Sequence, residues 1–216
     1  VWFGLRQMKN TKRKGLRALI AASNIADTAD ILPVDVSHRI GPRINASGRL
    51  ADAALPVEMF LCPDEARCAE LARRLSDMNR DRQAIERGVF EEALAQLKPE
   101  APRRRALLAC GNWHPGVVGI VAGKLARHFA RPCIVLGVED GIAKGSGRSV
   151  PGVNLIDVLR PYGNELESWG GHPMAVGISV DVAKVSALKE YFDAAVARGQ
   201  SAAGTRGENA RELDIA

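Results

Sequence analysis

Aromatic residues make up only 5% of this 216-residue chain. So few rings exclude a surface that draws most of its affinity from stacking on planar ligands. Cysteine is equally sparse: Cys62, Cys68, Cys110 and Cys133 form no C-x-x-C pair, and no Cys/His cluster has zinc spacing. A zinc ribbon and a disulfide scaffold are thereby excluded. Each cysteine sits among apolar neighbours, which predicts four reduced core thiols and a reducing, cytoplasmic setting. No apolar run reaches membrane length, and no signal peptide, lipidation motif or basic amphipathic helix is present. The expectation is no membrane association. No internal repeat is visible, which argues against a solenoid.

What is present is a basic, core-forming chain. Hydrophobic residues reach 46%, enough for one large domain or two small ones. Arg outnumbers Lys by 22 to 8, and the net charge is +5. That balance favours a polyanion as partner, with nucleic acid ahead of anionic lipid. The chain begins at Val1 rather than Met and reads as part of a longer protein.

Residues 1–30 have a helical pattern. Leu16, Leu19 and Ile20 share one face, while Lys9, Lys12, Arg13, Lys14 and Arg17 lie mostly on the other. Those cations suit either phosphate contacts or a solvated face. Next comes Val36-Ser37-His38-Arg39-Ile40-Gly41-Pro42-Arg43-Ile44-Asn45-Ala46-Ser47-Gly48-Arg49-Leu50. Pro42 stops a regular helix or opens a turn, so a short irregular segment is predicted. Arg43, Asn45 and Arg49 would project from it as a phosphate clamp, or would cap a loop and pair with carboxylates such as Asp52. Residues 51–61 predict a short apolar helix with Pro56 at a kink or in its first turn. Residues 63–98 predict one long helix, interrupted at Gly88 if anywhere. Its buried stripe would be Leu71, Leu75, Met78, Ile85, Val89, Leu94 and Leu97. At a rise of 1.5 Å per residue it would span about 54 Å, which suits a connector between domains.

Beyond Pro99, strands alternate with helices and imply an α/β domain with a mixed or parallel sheet. Strands are predicted at 106–110, 132–138, 141–149 and 177–180. Helices are predicted at 115–130, 155–159 and 182–197. Residues 199–211 read as a linker, and Glu212-Leu213-Asp214-Ile215-Ala216 as the start of a further segment. Three Gly-rich turns punctuate this part: Gly111-Asn112-Trp113-His114-Pro115-Gly116, Gly145-Ser146-Gly147-Arg148-Ser149, and Gly170-Gly171-His172. Glycine allows close backbone approach, and arginine offers a planar fork that matches phosphate oxygens. His114, Ser146, Arg148 and His172 are thus candidates to line a pocket for an anion, a phosphate above all. His114 serves equally well as a structural histidine.

Several of these stretches together resemble a known family. His114-Pro115-Gly116-Val117-Val118-Gly119-Ile120-Val121-Ala122, the Gly-Ser-Gly-Arg-Ser run and Gly170-Gly171-His172-Pro173-Met174-Ala175 are similar to the DHH-associated C-terminal domain. Ile40-Gly41-Pro42-Arg43-Ile44-Asn45-Ala46-Ser47-Gly48-Arg49-Leu50 narrows the resemblance to the RecJ family of single-strand-specific 5′→3′ DNA exonucleases. It extends from about residue 3 to Asp214.

The resemblance implies the end of a DHH catalytic domain at 1–62 and a connecting helix at 63–98. It further implies a substrate-binding domain at 99–198, then a linker and the start of a following domain at 199–216. It implies hydrolysis of a phosphodiester by two metals, Mn²⁺ or Mg²⁺, in DNA repair and recombination. The metal-binding aspartates and the Asp-His-His motif are not in this sequence, so no catalytic residue or metal ligand is assigned here. Ser146 and Arg148 are expected to bind phosphate at the 5′ end or beside the scissile bond. Gly170, Gly171 and His172 are expected to form a phosphate-binding turn, with His172 assisting through a phosphate or the metal-bound water network. Arg43, Asn45 and Arg49 would line the cleft from the catalytic side. Single-stranded DNA is the expected ligand, and a single-strand-binding protein or helicase the expected pathway partner of a monomer. Two other readings stay open. One is a phosphodiesterase for oligoribonucleotides or cyclic dinucleotides. The other is a non-catalytic nucleic-acid module like that of alanyl-tRNA synthetases.

Overall fold

The computed structural model describes residues 1–25, 30–50 and 52–211, and side chains as far as residue 199. The chain divides after Ile85 into two compact units.

The first unit is helical. Helices α1 (Trp2–Lys9) and α2 (Lys14–Ala22) are followed by α3 (Pro33–Asp35), a π-turn at Val36–Ile40, α4 (Gly41–Leu50) and α5 (Ala54–Leu61). Helix α6 (Glu65–Leu97) begins in this unit and ends in the second. Leu19, Ile40, Leu55, Met59, Leu71 and Leu75 form the centre of the core. The basic cluster at residues 9–17 is largely tied down locally. Lys9 pairs with Asp30 at 2.8 Å, Arg17 pairs with Glu65 at 2.5 Å, and Lys14 donates to the Pro63 carbonyl. The part of the predicted helical stretch at 26–29 lies outside the described residues.

Two expectations for these helices need correction. The segment 36–50 is helical throughout, not irregular. Pro42 is accommodated because the preceding turn is wound as a π-helix, in which the Gly41 N–H bonds to the Val36 carbonyl five residues back. A proline early in a new helical register leaves no orphaned hydrogen bond. Pro56 lies in the first turn of α5, as its sequence allows.

The second correction concerns α6, which is unbroken at Gly88 but does not bury Ile85, 37% exposed. The 3.6-residue period instead carries Asn79 and Glu86 inward. Each has a partner: Asn79 Oδ1 accepts from Arg82, and Glu86 pairs with Lys124 at 2.5 Å. A buried carboxylate without such a cation would be strongly disfavoured.

The second unit is an α/β domain. After a 3-10 turn at Ala101–Arg103 come β1 (Leu107–Gly111), α7 (Pro115–Phe129), β2 (Cys133–Glu139) and β3 (Ile142–Arg148). Helix α8 (Leu155–Leu159), β4 (Ser168–His172), β5 (Ala175–Asp181) and α9 (Val185–Arg211) complete it. The five-stranded sheet has the order β1-β2-β3-β5-β4, with β1 and β2 parallel and every other pair antiparallel. The mixed sheet agrees with the sequence reading. The expected linker at 199–211, however, continues α9 as far as Arg211, and 212–216 lie outside the described residues.

The period of two along each strand sorts the core into two layers. Leu107, Ala109, Cys133 and Val135 face α7 and the end of α6, packing with Val117, Val121, Leu125 and Leu97. Ile134, Leu136, Ala143, Val176, Ile178 and Val180 face the opposite way, against Leu155, Leu159, Leu188 and Phe192. Arg104 clamps α9 to the start of β1. It contacts Glu190 at 2.5 Å and Asp193 at 3.2 Å, while the Asp193 carboxylate accepts the N–H groups of Arg105 and Ala106. The four cysteines are free thiols, and burial pushes Cys133 up to about 12.

Candidate functional site

Strand β3 carries the sharpest constellation. Ser146 and Arg148 alternate with Gly145 and Gly147, so both polar side chains point to the α7 side of the sheet. Arg148 donates through Nη1 to the Ser146 hydroxyl and, at 2.9 Å, to the Gly147 carbonyl. The Ser146 hydroxyl in turn donates to the Val176 carbonyl at 2.9 Å. Helix α7 lies beside this pair because it has no side chains there. A Cβ on Gly119 would sit 3.3 Å from Arg148 Nη2 and 3.6 Å from Ser146 Oγ, and one on Gly123 would sit 3.8 Å from Arg148 Cγ. The Arg148 side chain therefore runs along the helix towards its N-terminus, the positive end of the helix dipole.

The register places the remaining residues. Ser146 is opposite Gly177, which is opposite Gly170; Arg148 is opposite Ala175, which is opposite His172. Cross-strand partners project from the same face of a sheet. Ser146, Arg148, Gly177, Gly170 and His172 thus share the α7 side, and Gly177, Gly170 and His172 are exposed. Helix α7 covers β2 and β3 and leaves this strip of β5 and β4 open. The result is a shallow floor of glycine flanked by a guanidinium, a hydroxyl and an imidazole. A Cβ on Gly170 or Gly177 would meet nothing within 4 Å, so the floor is open space.

Only one of the three predicted Gly-rich turns is a turn. Gly145–Arg148 is strand, and Gly170-Gly171-His172 is the end of edge strand β4, with the reversal made by Pro173 and Met174. Gly171 is needed where it stands. Its φ is 144°, and a side chain would strike the Ala175 carbonyl across the hairpin. The first turn is as expected: His114 is the N-cap of α7, and its Nδ1 accepts the Gly116 N–H at 3.0 Å. The preceding Trp113 lies over Gly111 and Gly137 and donates Nε1–H to Glu92 at 2.7 Å. Sequence reasoning missed Lys144 and Ser168, which share the open face one row from Ser146. The alternation 144, 146, 148 along one strand was the signal that could have found Lys144.

The candidates in the first unit do not converge as a threesome. Residues 45 and 49 are one turn apart on α4, and both are exposed. They edge a recess of about 610 Å³ with Gly48, Pro56, Val57 and Phe60. Arg43 points elsewhere: Nε donates to Ser76 Oγ at 2.9 Å and Nη1 to the Arg39 carbonyl at 2.6 Å. Burial, with repulsion from Arg39, pulls its pKa below the ordinary arginine value. The Asp52 carboxylate is occupied by the Ala54 N–H.

The chain is similar to known proteins. Residues 105–198 match the DHHA1 domain. The single-stranded-DNA-specific exonuclease RecJ of Bacillus subtilis is 37% identical over 193 residues, covering 88% of this chain and 24% of the relative. RecJ of Escherichia coli is 35% identical over 203 residues, covering 88% of this chain and 35% of the relative. The crystal structure of RecJ from Thermus thermophilus in complex with Mg²⁺ superposes with a TM-score of 0.80 at 32% identity, over 90% of this chain and 30% of that one.

The chain belongs to the RecJ family. It spans about a quarter to a third of the length of these relatives.

A second RecJ structure from the same organism contains Mn²⁺. In this RecJ-family chain, no group of three or more His, Cys, Asp and Glu among the described residues is arranged to hold a metal ion. Among the described residues the donor set does not fit a divalent metal. No helix among the described residues is long and apolar enough to cross a membrane.

Proposed function

We propose that this chain grips single-stranded DNA by its phosphates as part of a cytoplasmic 5′→3′ exonuclease of DNA repair and recombination. The paired Mn²⁺ or Mg²⁺ chemistry belongs to residues other than those of the two units above. One observation carries the reading: Ser146, Arg148 and His172 stand together over an open glycine floor beside α7. Phosphate oxygens fit a guanidinium fork, and a floor without side chains lets the sugar–phosphate backbone lie against the sheet.

Ser146 orients Arg148, Arg148 supplies the charge, and His172 closes the far side of the strip. His114 sits at the N-terminus of α7, where the helix dipole favours an anion. In the first unit Asn45 and Arg49 offer a further contact for the nucleotide chain, and Arg43 holds α4 in position through Ser76. The protein acts as a monomer, with a single-strand-binding protein or a helicase as its pathway partner.

Arg148→Ala tests this reading. Anisotropy with a 5′-phosphorylated single strand should show about tenfold weaker binding. The slope of log K against log salt should fall by about 0.7, the value for one phosphate contact on a single strand. Unchanged affinity and slope would refute it.

A further inference from the structure

Resting on that reading, we infer that Arg127 is a second phosphate-binding residue, one helical turn along α7 from Arg148, so that the strip holds two successive phosphates of a strand. Gly119, Gly123 and Arg127 recur every four residues and occupy one face of α7. The atoms around Gly123 fix where that face looks. A Cβ there would lie 3.8 Å from Arg148 Cγ and 3.9 Å from Arg127 Nη1, so the two arginines flank the same glycine. Their charged ends are displaced along the helix. The Arg148 guanidinium reaches forward to Gly119, with Nη2 3.3 Å from the Cβ position, while that of Arg127 leans back only to Gly123. The offset between these levels is four residues, just over one turn or about 6 Å.

Two like charges along one helix face both attract an anion that lies beside them. Arg127 is exposed, and the structure gives its side chain no ion pair or hydrogen bond among the described residues, whereas Arg148 is fixed by Ser146 and the Gly147 carbonyl. Arg104, the contrasting case in this unit, is engaged by Glu190 and Asp193 and serves the fold. Arg127 is thus a cation beside the strip with no structural employment. A flexible phosphodiester chain lying along α7 would meet first Arg148 and then Arg127.

The test uses this chain and a 5′-phosphorylated oligothymidylate of twelve nucleotides, labelled at its 3′ end. Anisotropy is measured across a salt series for the parent chain and for Arg127→Ala, Arg127→Lys and Arg148→Ala. Arg127→Ala should bind about fivefold more weakly at low salt and lose about 0.7 from the salt slope. Arg127→Lys should recover the slope, because it keeps the charge. If Arg127→Ala keeps the parent slope while Arg148→Ala loses it, the second phosphate site is wrong and the strip stands. If the parent chain binds no oligonucleotide, or Arg148→Ala changes nothing, the reading of the strip itself fails and this inference falls with it.

Discussion

The two faces of the sheet are finished differently. On the α8 and α9 side, every strand contributes to one continuous apolar layer, and Leu155, Leu159, Leu188 and Phe192 are fully buried. On the α7 side, the apolar layer covers β1 and β2 and then stops at β3, where the residues become Ser146, Arg148, Gly177, Gly170 and His172. Both layers hold the domain together, but only the α8 and α9 side is apolar across the whole sheet. The other face is stable only because its last three strands replace apolar side chains with glycine and with polar groups that tolerate water. A single sheet therefore separates a packed apolar layer from an open polar strip by the alternation of side chains along each strand.

The closed face should show the largest response to substitution. Phe192→Ala removes a fully buried ring and is expected to cost about 3–5 kcal/mol in urea unfolding. A smaller loss would mean that the layer is less tightly filled than its burial indicates. Glycines on opposite faces give a sharper comparison. Gly147 faces the closed side, where a Cβ would sit 2.8 Å from Val176 Cγ2 and 3.3 Å from Ile134 Cγ1. Gly147→Ala is expected to cost about 1–3 kcal/mol through overpacking. Gly177→Leu adds more atoms yet meets open space, so its stability should stay within about 0.5 kcal/mol of the parent. It should nevertheless weaken single-strand binding several-fold, because it fills the floor. Equal stability losses for the two would erase the distinction between the faces.

The smallest effect concerns the ion pairs that tie α9 to the sheet. The hydrogen bond from Arg104 lowers the pKa of Glu190. A carboxylate with a lowered folded-state pKa contributes stability above its unfolded value, about 4.3, and loses it as the pH falls through the folded value. Melting temperatures measured from about pH 6 to pH 3 should fall on the acid side. Arg104→Met should flatten that limb, and an unchanged limb would remove Glu190 from the account.

Much of this was legible in the residues. The alternation of strands and helices after Pro99 fixed the class of the second unit, and the Pro115–Phe129 and Leu155–Leu159 helices fall where their patterns put them. That Ser146 and Arg148 share one face followed from their spacing of two along a single strand. What could not be read depended on register and on neighbours. Gly170-Gly171-His172 looks like a turn because glycine-rich runs usually are. It is a strand because β5 supplies hydrogen-bond partners for its backbone. Pro42 argued for a break, and the π-turn before it could not be foreseen from composition. Ile85 is apolar yet exposed and Glu86 is acidic yet buried, because Lys124 arrives from a distant part of the sequence.

Gln96 has a consequence beyond the site. Its side-chain amide donates to the Cys110 carbonyl at 3.2 Å and accepts the Cys110 N–H at 3.1 Å. It occupies the outer edge of β1 as a neighbouring strand would. An unpaired edge strand is a template on which further chains can add by backbone hydrogen bonding. A single primary amide, borrowed from a helix, thus acts as a stopper on that margin.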